Sequence, residues 1–355
     1  MAARTGIAKQ SLPRTSARRD YLELLQASNF SVFEDTVVDR ILGEIRKQPA
    51  GKILPVRLSA VAQKFLIRPS PQVIAGKHDG EIDFDAEVGL FVIKLCKQDA
   101  SQPTSGPPTL ARQRFTYAHE MAHRFCFIEE SNRWVRAVDV VTARLPAPAA
   151  MRERITINRI EEGVCNNIAR RILIPEDFLA SKCHLNEWFQ AGRDFFPLLL
   201  EAARSFGVSL DCLLVRLQKE VVSGRLLLAE PHCLIVVSPS RGTVTRRGQM
   251  KLRISTAIVP CEIGPFTLKS IYPGIALEKF GVEVSEFAET LVAKNSPRSG
   301  PFRHSIRLSG TTNDSSVQES FVLEGWWHLL RSGAGAESPR MILWGTLLSG
   351  SSRAN

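Results

Sequence analysis

At 355 residues, with 44% apolar and 23% charged side chains, the chain has the make-up of a soluble globular protein of about two domains, which excludes a fibrous or wholly disordered polymer. The formal net charge of +10 suits a nucleic acid or an acidic partner, but Lys and Arg are spread along the chain instead of forming one block, so charge alone assigns no partner. Seven scattered Cys with no C-x-x-C pair have the look of neither a disulfide framework nor a cysteine zinc site, and a reducing cytoplasm is the simplest setting.

Residues 1–19 carry Arg4, Lys9, Arg14, Arg18 and Arg19 with no acidic residue and no apolar run. They predict a disordered basic tail, with neither a secretory signal nor a membrane span. From residue 20 to about 47 the apolar positions recur at helical intervals, first at Tyr21, Leu24 and Leu25, then at Val37, Val38, Ile41, Leu42 and Ile45. One or two helices are expected there. Residues 55–67 read as a further short helix over Leu58, Val61, Ala62 and Phe65, and residues 80–95 carry the strand-like runs EIDF and GLFVIKL. Residues 97–111, rich in Ser, Pro and Gly, predict an exposed loop.

Residues 112–127, RQRFTYAHEMAHRFCF, contain His119, Glu120 and His123 in the order H-E-x-x-H. On a helix, two histidines four positions apart project from one face, so both imidazoles reach a single ion. Zinc suits this pattern: a catalytic zinc takes three protein ligands and keeps a fourth position for water, and Glu120 stands where it can accept that water's proton. Phe115, Ala118, Ala122 and Phe125 supply apolar positions at helical spacing around the polar triplet. After an irregular stretch over residues 131–154, whose length suits either a lid or binding loop bordering the site or a disordered segment, residues 159–175 (RIEEGVCNNIARRILIP) form an amphipathic helix stopped by Pro175. Glu161 and Glu162 lie in its expected first turn, where carboxylates also complement the helix end without any ligand role. Glu162 is the better third ligand, because Cys165 and Ala169 at i+3 and i+7 are small and allow close packing. Cys126 and Cys165 are expected to be buried thiols without a part in the chemistry, since no Cys has a local base suited to a nucleophile.

RFTYAHEMAHRF and EGVCNNIARRILIP, in that order, resemble the paired motifs of the ImmA/IrrE metallopeptidases. The resemblance implies zinc ligands at His119, His123 and Glu162 and a catalytic glutamate at Glu120. This chain departs from the family in having Ala122 where Gly is usual, Cys165 in place of Ala, and a longer separation between His123 and Glu162. The fold implied is an α/β (α+β) zincin-like metallopeptidase domain over residues 20–183, followed by a helix-turn-helix-like segment over residues 184–225. In that segment PLLLEAARSF, GVS and LDCLLVRL give two helices around a Gly-containing turn. The second helix is expected to expose Asp211 and Arg216 and little else able to contact DNA, so packing or partner binding is expected and direct DNA reading is not.

Beyond residue 224, short apolar runs at CLIVVS, MKLRIS, FTLKSI, SIRLSG and MILWGTLL predict a β-rich domain over residues 226–355, with Trp326, Trp327 and Trp344 in its core. Some family members carry a sensory domain at this place. The resemblance implies a zinc-dependent endopeptidase that cleaves a transcriptional repressor, often the product of an adjacent gene, and so switches on a stress, phage or mobile-element response. The alternative is a regulatory binding protein, or the toxin of a toxin–antitoxin pair, whose zinc supports a partner surface. An intact Glu120 favours the enzyme, because a binding scaffold has no need of a base beside the metal.

Overall fold

A computed structural model describes residues 30–48, 54–75, 79–97, 110–143, 145–226, 228, 232–244, 250–258, 302–311, 318–330 and 340–349. The expected basic tail, the periodic positions Tyr21, Leu24 and Leu25, most of the 97–111 loop, the FTLKSI run and the Trp327 side chain lie outside the described residues. The chain is mixed α/β and divides into two compact units. Among the described residues the first holds those up to Lys97 together with Gln113–Leu173, and the second holds Leu110 to Arg112 and Ile174 onward. No described helix is long and apolar enough to cross a membrane.

The first unit opens with helix α1 (Phe30–Arg46), which buries Val37, Val38, Ile41, Leu42 and Ile45, the positions its periodicity singled out. The expected helix over residues 55–67 is instead two 3-10 turns, Leu58–Ala60 and Ala62–Phe65, after which Ile67 bridges to Phe91. Leu66 there takes a left-handed backbone at φ 60°, which ends the second turn. Strands β1 (Gln72–Ala75), β2 (Gly80–Asp85) and β3 (Leu90–Lys97) form a sheet in the order β1-β3-β2, with β2 on one edge. Phe91, Val92 and Ile93 are all buried, so the central strand is covered on both faces, as its unbroken apolar run implies.

Helix α2 (Leu110–His123) follows, then the hairpin of β4 (Phe127–Glu130) and β5 (Arg133–Arg136), helix α3 (Ala137–Thr142) and helix α4 (Ala147–Leu173). The stretch expected to be irregular over residues 131–154 is therefore mostly ordered. Pro146 and Pro148 do not prevent this, because proline is tolerated in the first turn of a helix, and the Pro146 carbonyl accepts from Ala149 and Ala150 there. The Ala, Met, Arg and Glu that follow are good helix formers. This correction moves Glu161 and Glu162 from a helix start to a helix middle, where end-dipole arguments do not apply. α4 packs on α1, where Arg171 bonds Glu34 and Asp35, and Asn167 donates to Glu34.

In the second unit, α5 (Glu176–Lys182) and α6 (Leu185–Gln190) lead into α7 (Phe195–Phe206) and α8 (Leu210–Val222). Gly207, at φ 64°, caps α7 in the left-handed region, and the Ser209 hydroxyl accepts from the Cys212 amide to start α8. Strands β6 (His232–Val244), β7 (Met250–Ile258), β8 (Phe302–Thr311), β9 (Gln318–Leu330) and β10 (Arg340–Ser349) make an antiparallel sheet in the order β7-β6-β10-β9-β8. Trp344 on β10 is fully buried, stacked on Phe195 with ring centres 5.3 Å apart, and its indole N–H donates to the Gly192 carbonyl. Gly325 pairs with Gly345, the residue after Trp344, and a Cβ on Gly325 would stand 2.0 Å from the Trp344 carbonyl oxygen. Trp326 is half-buried.

Arg216 is not the exposed cation that its helix position suggested. It is 2% exposed, ion-paired one turn along to Glu220, which is 3% exposed, and its Nε donates to the Ile174 carbonyl. Removing Arg216 leaves the Glu220 charge buried, with Arg225 at the surface 3.8 Å away. Arg216→Met is therefore expected to lower the unfolding free energy by about 3–5 kcal/mol, whereas Arg216→Met with Glu220→Leu recovers most of the loss. Urea unfolding of the three proteins measures this, and equal midpoints for the single and double variants would refute it.

Candidate metal centre

α2 turns His119 and His123 to one side because four residues advance a helix by slightly more than one turn. Ala118, Met121 and Ala122 are fully buried and hold that rotation. Beyond the helix, Arg124 closes the segment: its guanidinium lies between the rings of Phe91 and Trp134, 4.2 and 4.1 Å from their centres, and its Nε donates to the Phe65 carbonyl. Gly80 at the head of β2 approaches α2 so closely that a Cβ would stand 2.5 Å from Thr116 Cγ2 and 3.3 Å from Glu120 Cγ. The edge strand thus meets the helix at the residue bearing the carboxylate.

α4 delivers two adjacent carboxylates whose fates differ, because neighbouring helix positions point about 100° apart. Glu162 is exposed and reaches outward: Oε2 lies 3.1 Å from His119 Nε2 and Oε1 3.3 Å from His123 Nε2. The two Nε2 atoms are 3.0 Å apart. Ligand atoms about 2.0–2.1 Å from one tetrahedral ion are separated by about 3.3 Å, so these three already stand at the spacing a single cation requires. His119 Nδ1 is buried without a hydrogen-bond partner among the described residues, and it is Nε2 that faces the shared point. The donor set, two imidazoles and a carboxylate, fits a divalent metal ion.

Glu161 points inward and is almost wholly buried. Its Oε1 lies 3.0 Å from His123 Nδ1 and pairs with the Arg136 guanidinium. The sequence offered Glu161 only as a rival to Glu162 or a solvated helix residue. The structure instead places it behind the His123 imidazole, the position of the carboxylate that commonly partners a metal-bound histidine. The adjacency of two glutamates on a helix expected to pack was the one available hint. Arg136, in the stretch taken to be irregular, gave no signal.

The electrostatics follow from this geometry. Hydrogen bonds from His119 and His123 hold the Glu162 carboxyl well below the usual carboxylate range. Burial works against protonation of His123, but hydrogen bonds with Cys126, Glu161 and Glu162 outweigh it and push the imidazole up to about 12. Burial also works against ionisation of Glu161, and the bond to His123 and the charge of Arg136 overcome it, so its carboxyl is lowered. Glu120 moves the other way: burial raises its carboxyl, His123 and His119 oppose, and Glu162 and Glu81 add to the rise. A carboxylate of raised basicity beside a cation site is a better proton acceptor than an ordinary one.

All four expected residues are thus accounted for: His119, His123 and Glu162 converge, and Glu120 is buried on the same helix. No protein-family model and no curated protein matches the chain. A solved structure described as a Mycobacterium tuberculosis transcriptional regulator is similar over 93% of this chain and 81% of its own, at 12% identity and a TM-score of 0.35, a likeness too slight to speak to fold or function.

His119→Ala, His123→Ala and Glu162→Ala are each expected to abolish stoichiometric zinc binding, while Glu161→Ala keeps the ligand set and weakens affinity by about 10–100-fold. Metal analysis with chelator competition ranks them, and a larger loss for Glu161→Ala than for Glu162→Ala would make Glu161 the ligand. Because a cation must displace the proton held on His123, zinc affinity should rise with pH, by about tenfold per pH unit for each proton released. Chelator competition below and above neutrality checks the sign, and a pH-independent affinity would contradict it.

Proposed function

We propose that this chain is a zinc-dependent endopeptidase with a zincin-like catalytic unit, acting in the cytoplasm on a transcriptional repressor of the helix-turn-helix kind, as the resemblance to the ImmA/IrrE metallopeptidases implies. The observation that carries the proposal is the convergence of His119 Nε2, His123 Nε2 and a Glu162 carboxylate at single-ion spacing, with Glu120 buried beside the two histidines on the same helix.

Zinc, when bound, supplies a Lewis acid that makes water acidic enough to be deprotonated near neutrality. The rest of the chemistry belongs to the protein. His119 and His123 donate Nε2, Glu162 supplies the carboxylate, and Glu161 with Arg136 keeps the His123 ring in place. Glu120 accepts the proton from the attacking water on a carboxylate oxygen and delivers it to the nitrogen of the departing amine. Its raised carboxyl helps both halves, since a weak acid is the better base in the first and remains able to donate in the second. β2 supports a peptide substrate: it is an edge strand, unpaired on its outer side among the described residues, and it meets α2 at Glu120. An extended chain added to that edge has its backbone held in register by ladder hydrogen bonds. The buried Arg216 removes a cation that a DNA-reading role for α8 had in view, which favours a protein partner.

Glu120→Gln replaces the base with an amide of the same size, so zinc content and fold should be retained while cleavage falls at least 100- to 10,000-fold. The substrate to use is a helix-turn-helix repressor encoded beside this chain, followed by gel analysis of cleavage and by derepression of its promoter in cells. The Gln variant should trap the repressor as an uncleaved complex. Full derepression by the zinc-loaded Gln variant would show that binding, not hydrolysis, is the output, and would favour the regulatory-scaffold reading.

A further inference from the structure

We propose that Cys126, Cys165 and His123 form a second, thiolate-rich donor set that takes a thiophilic divalent ion such as cadmium, in competition with the His119–His123–Glu162 set for the shared imidazole. Cysteine spacing argued against a cysteine metal site, because the two thiols lie far apart along the chain and in no C-x-x-C pair. The fold brings them together. Cys126 ends the 3-10 turn one step beyond α2, three residues past His123, and Cys165 sits on α4 three residues past Glu162. Both thiols are fully buried and unoxidised, and one ligand atom from each of the three residues lies within 4.8 Å of the others.

The spacing and the charge both suit a soft ion. Ligand atoms about 2.3 Å (sulfur) and 2.0–2.1 Å (nitrogen) from one tetrahedral ion are about 3.5–3.8 Å apart, so the set closes with side-chain adjustments of about 1 Å. Binding releases one proton from each thiol and one from the His123 imidazole to solvent, and a divalent ion with two thiolates and a neutral imidazole carries no net charge. That neutrality is what a site without solvent contact requires, because an isolated buried thiolate or cation is strongly disfavoured. Two sulfurs also select by softness: they favour a cadmium-like ion, whereas the two-imidazole, one-carboxylate set is matched to zinc. Since His123 belongs to both sets, occupation of the thiolate set draws on a ligand of the other. The inhibitory consequence rests on the peptidase reading of the first set, whereas the binding itself does not.

The test is a titration of the full metal-free chain with cadmium chloride, read by the near-ultraviolet thiolate-to-cadmium charge-transfer band. The band should saturate at about one equivalent in the wild type. It should persist in His119→Ala, which lies outside the set, and be lost from Cys126→Ser with Cys165→Ser. If that double variant fails to fold by circular dichroism, Cys165→Ala alone decides, with an expected loss of affinity of at least tenfold. Tight cadmium binding by the wild type without the band, or a band unchanged in the Cys variants, would overturn the proposal. Failure of the peptidase reading leaves a different trace, an uncleaved repressor with the charge-transfer band intact.

Discussion

The contact between His123 Nδ1 and the Glu161 carboxylate is the constraint on which the candidate site depends. An imidazole free to rotate offers its Nε2 in many directions, and fixing Nδ1 leaves Nε2 one direction to point. Glu161 achieves this from the middle of α4, Arg136 at the end of β5 balances its charge, and His123 closes α2, so one buried ionic cluster ties three elements together. A buried carboxylate without partners is strongly disfavoured. With both partners in place it becomes a reason for these elements to hold one relative arrangement, and that arrangement is what brings Glu162 onto the two Nε2 atoms.

Around this cluster the packing is rigid on the sides that matter for chemistry. Phe84, Phe91, Phe127 and Trp134 form an aromatic group with ring centres 5.1–6.1 Å apart, and the Arg124 guanidinium stacks within it directly after the second histidine. On the β2 side the missing side chain of Gly80 allows backbone-close approach to Thr116 and Glu120. Exposure of Glu162 beside the burial of Glu161 and Glu120 gives the site one open face and a dry interior. Hydrolysis by a positioned base asks for that combination, with rigid donors behind and access for substrate in front.

The second unit is built on different terms. Its helices bury large aromatic side chains against β10, and the α7–α8 pair, whose spacing is that of a helix-turn-helix, spends its one central arginine on an internal ion pair. A helix that reads nucleic acid keeps its cations outward for phosphates. Here the same residue type serves packing, and the side of α8 that carries Leu213, Leu214 and Leu217 is core.

Much of this was legible in one dimension wherever the determining interactions are local. The four-residue spacing of His119 and His123 suits helical pitch, EIDF and GLFVIKL read as strand-like runs and are strands, and the Gly-containing turn after PLLLEAARSF marks the end of α7. What depended on tertiary structure was direction and company. Glu161 and Glu162 are chemically identical neighbours, and only the rotation of α4, set by burial of Cys165, Ile168, Ala169 and Ile172, sends the first behind His123 and the second to the Nε2 atoms of both histidines. Pro148 looks like a breaker until the chain around it shows that it stands in a first turn. Arg216 looks like a surface cation until Glu220 and the Ile174 carbonyl surround it. Cys126 and Cys165 have no sequence relation at all, because their meeting is a product of two helices packing, and sequence patterns report the period of one element but not the register between two.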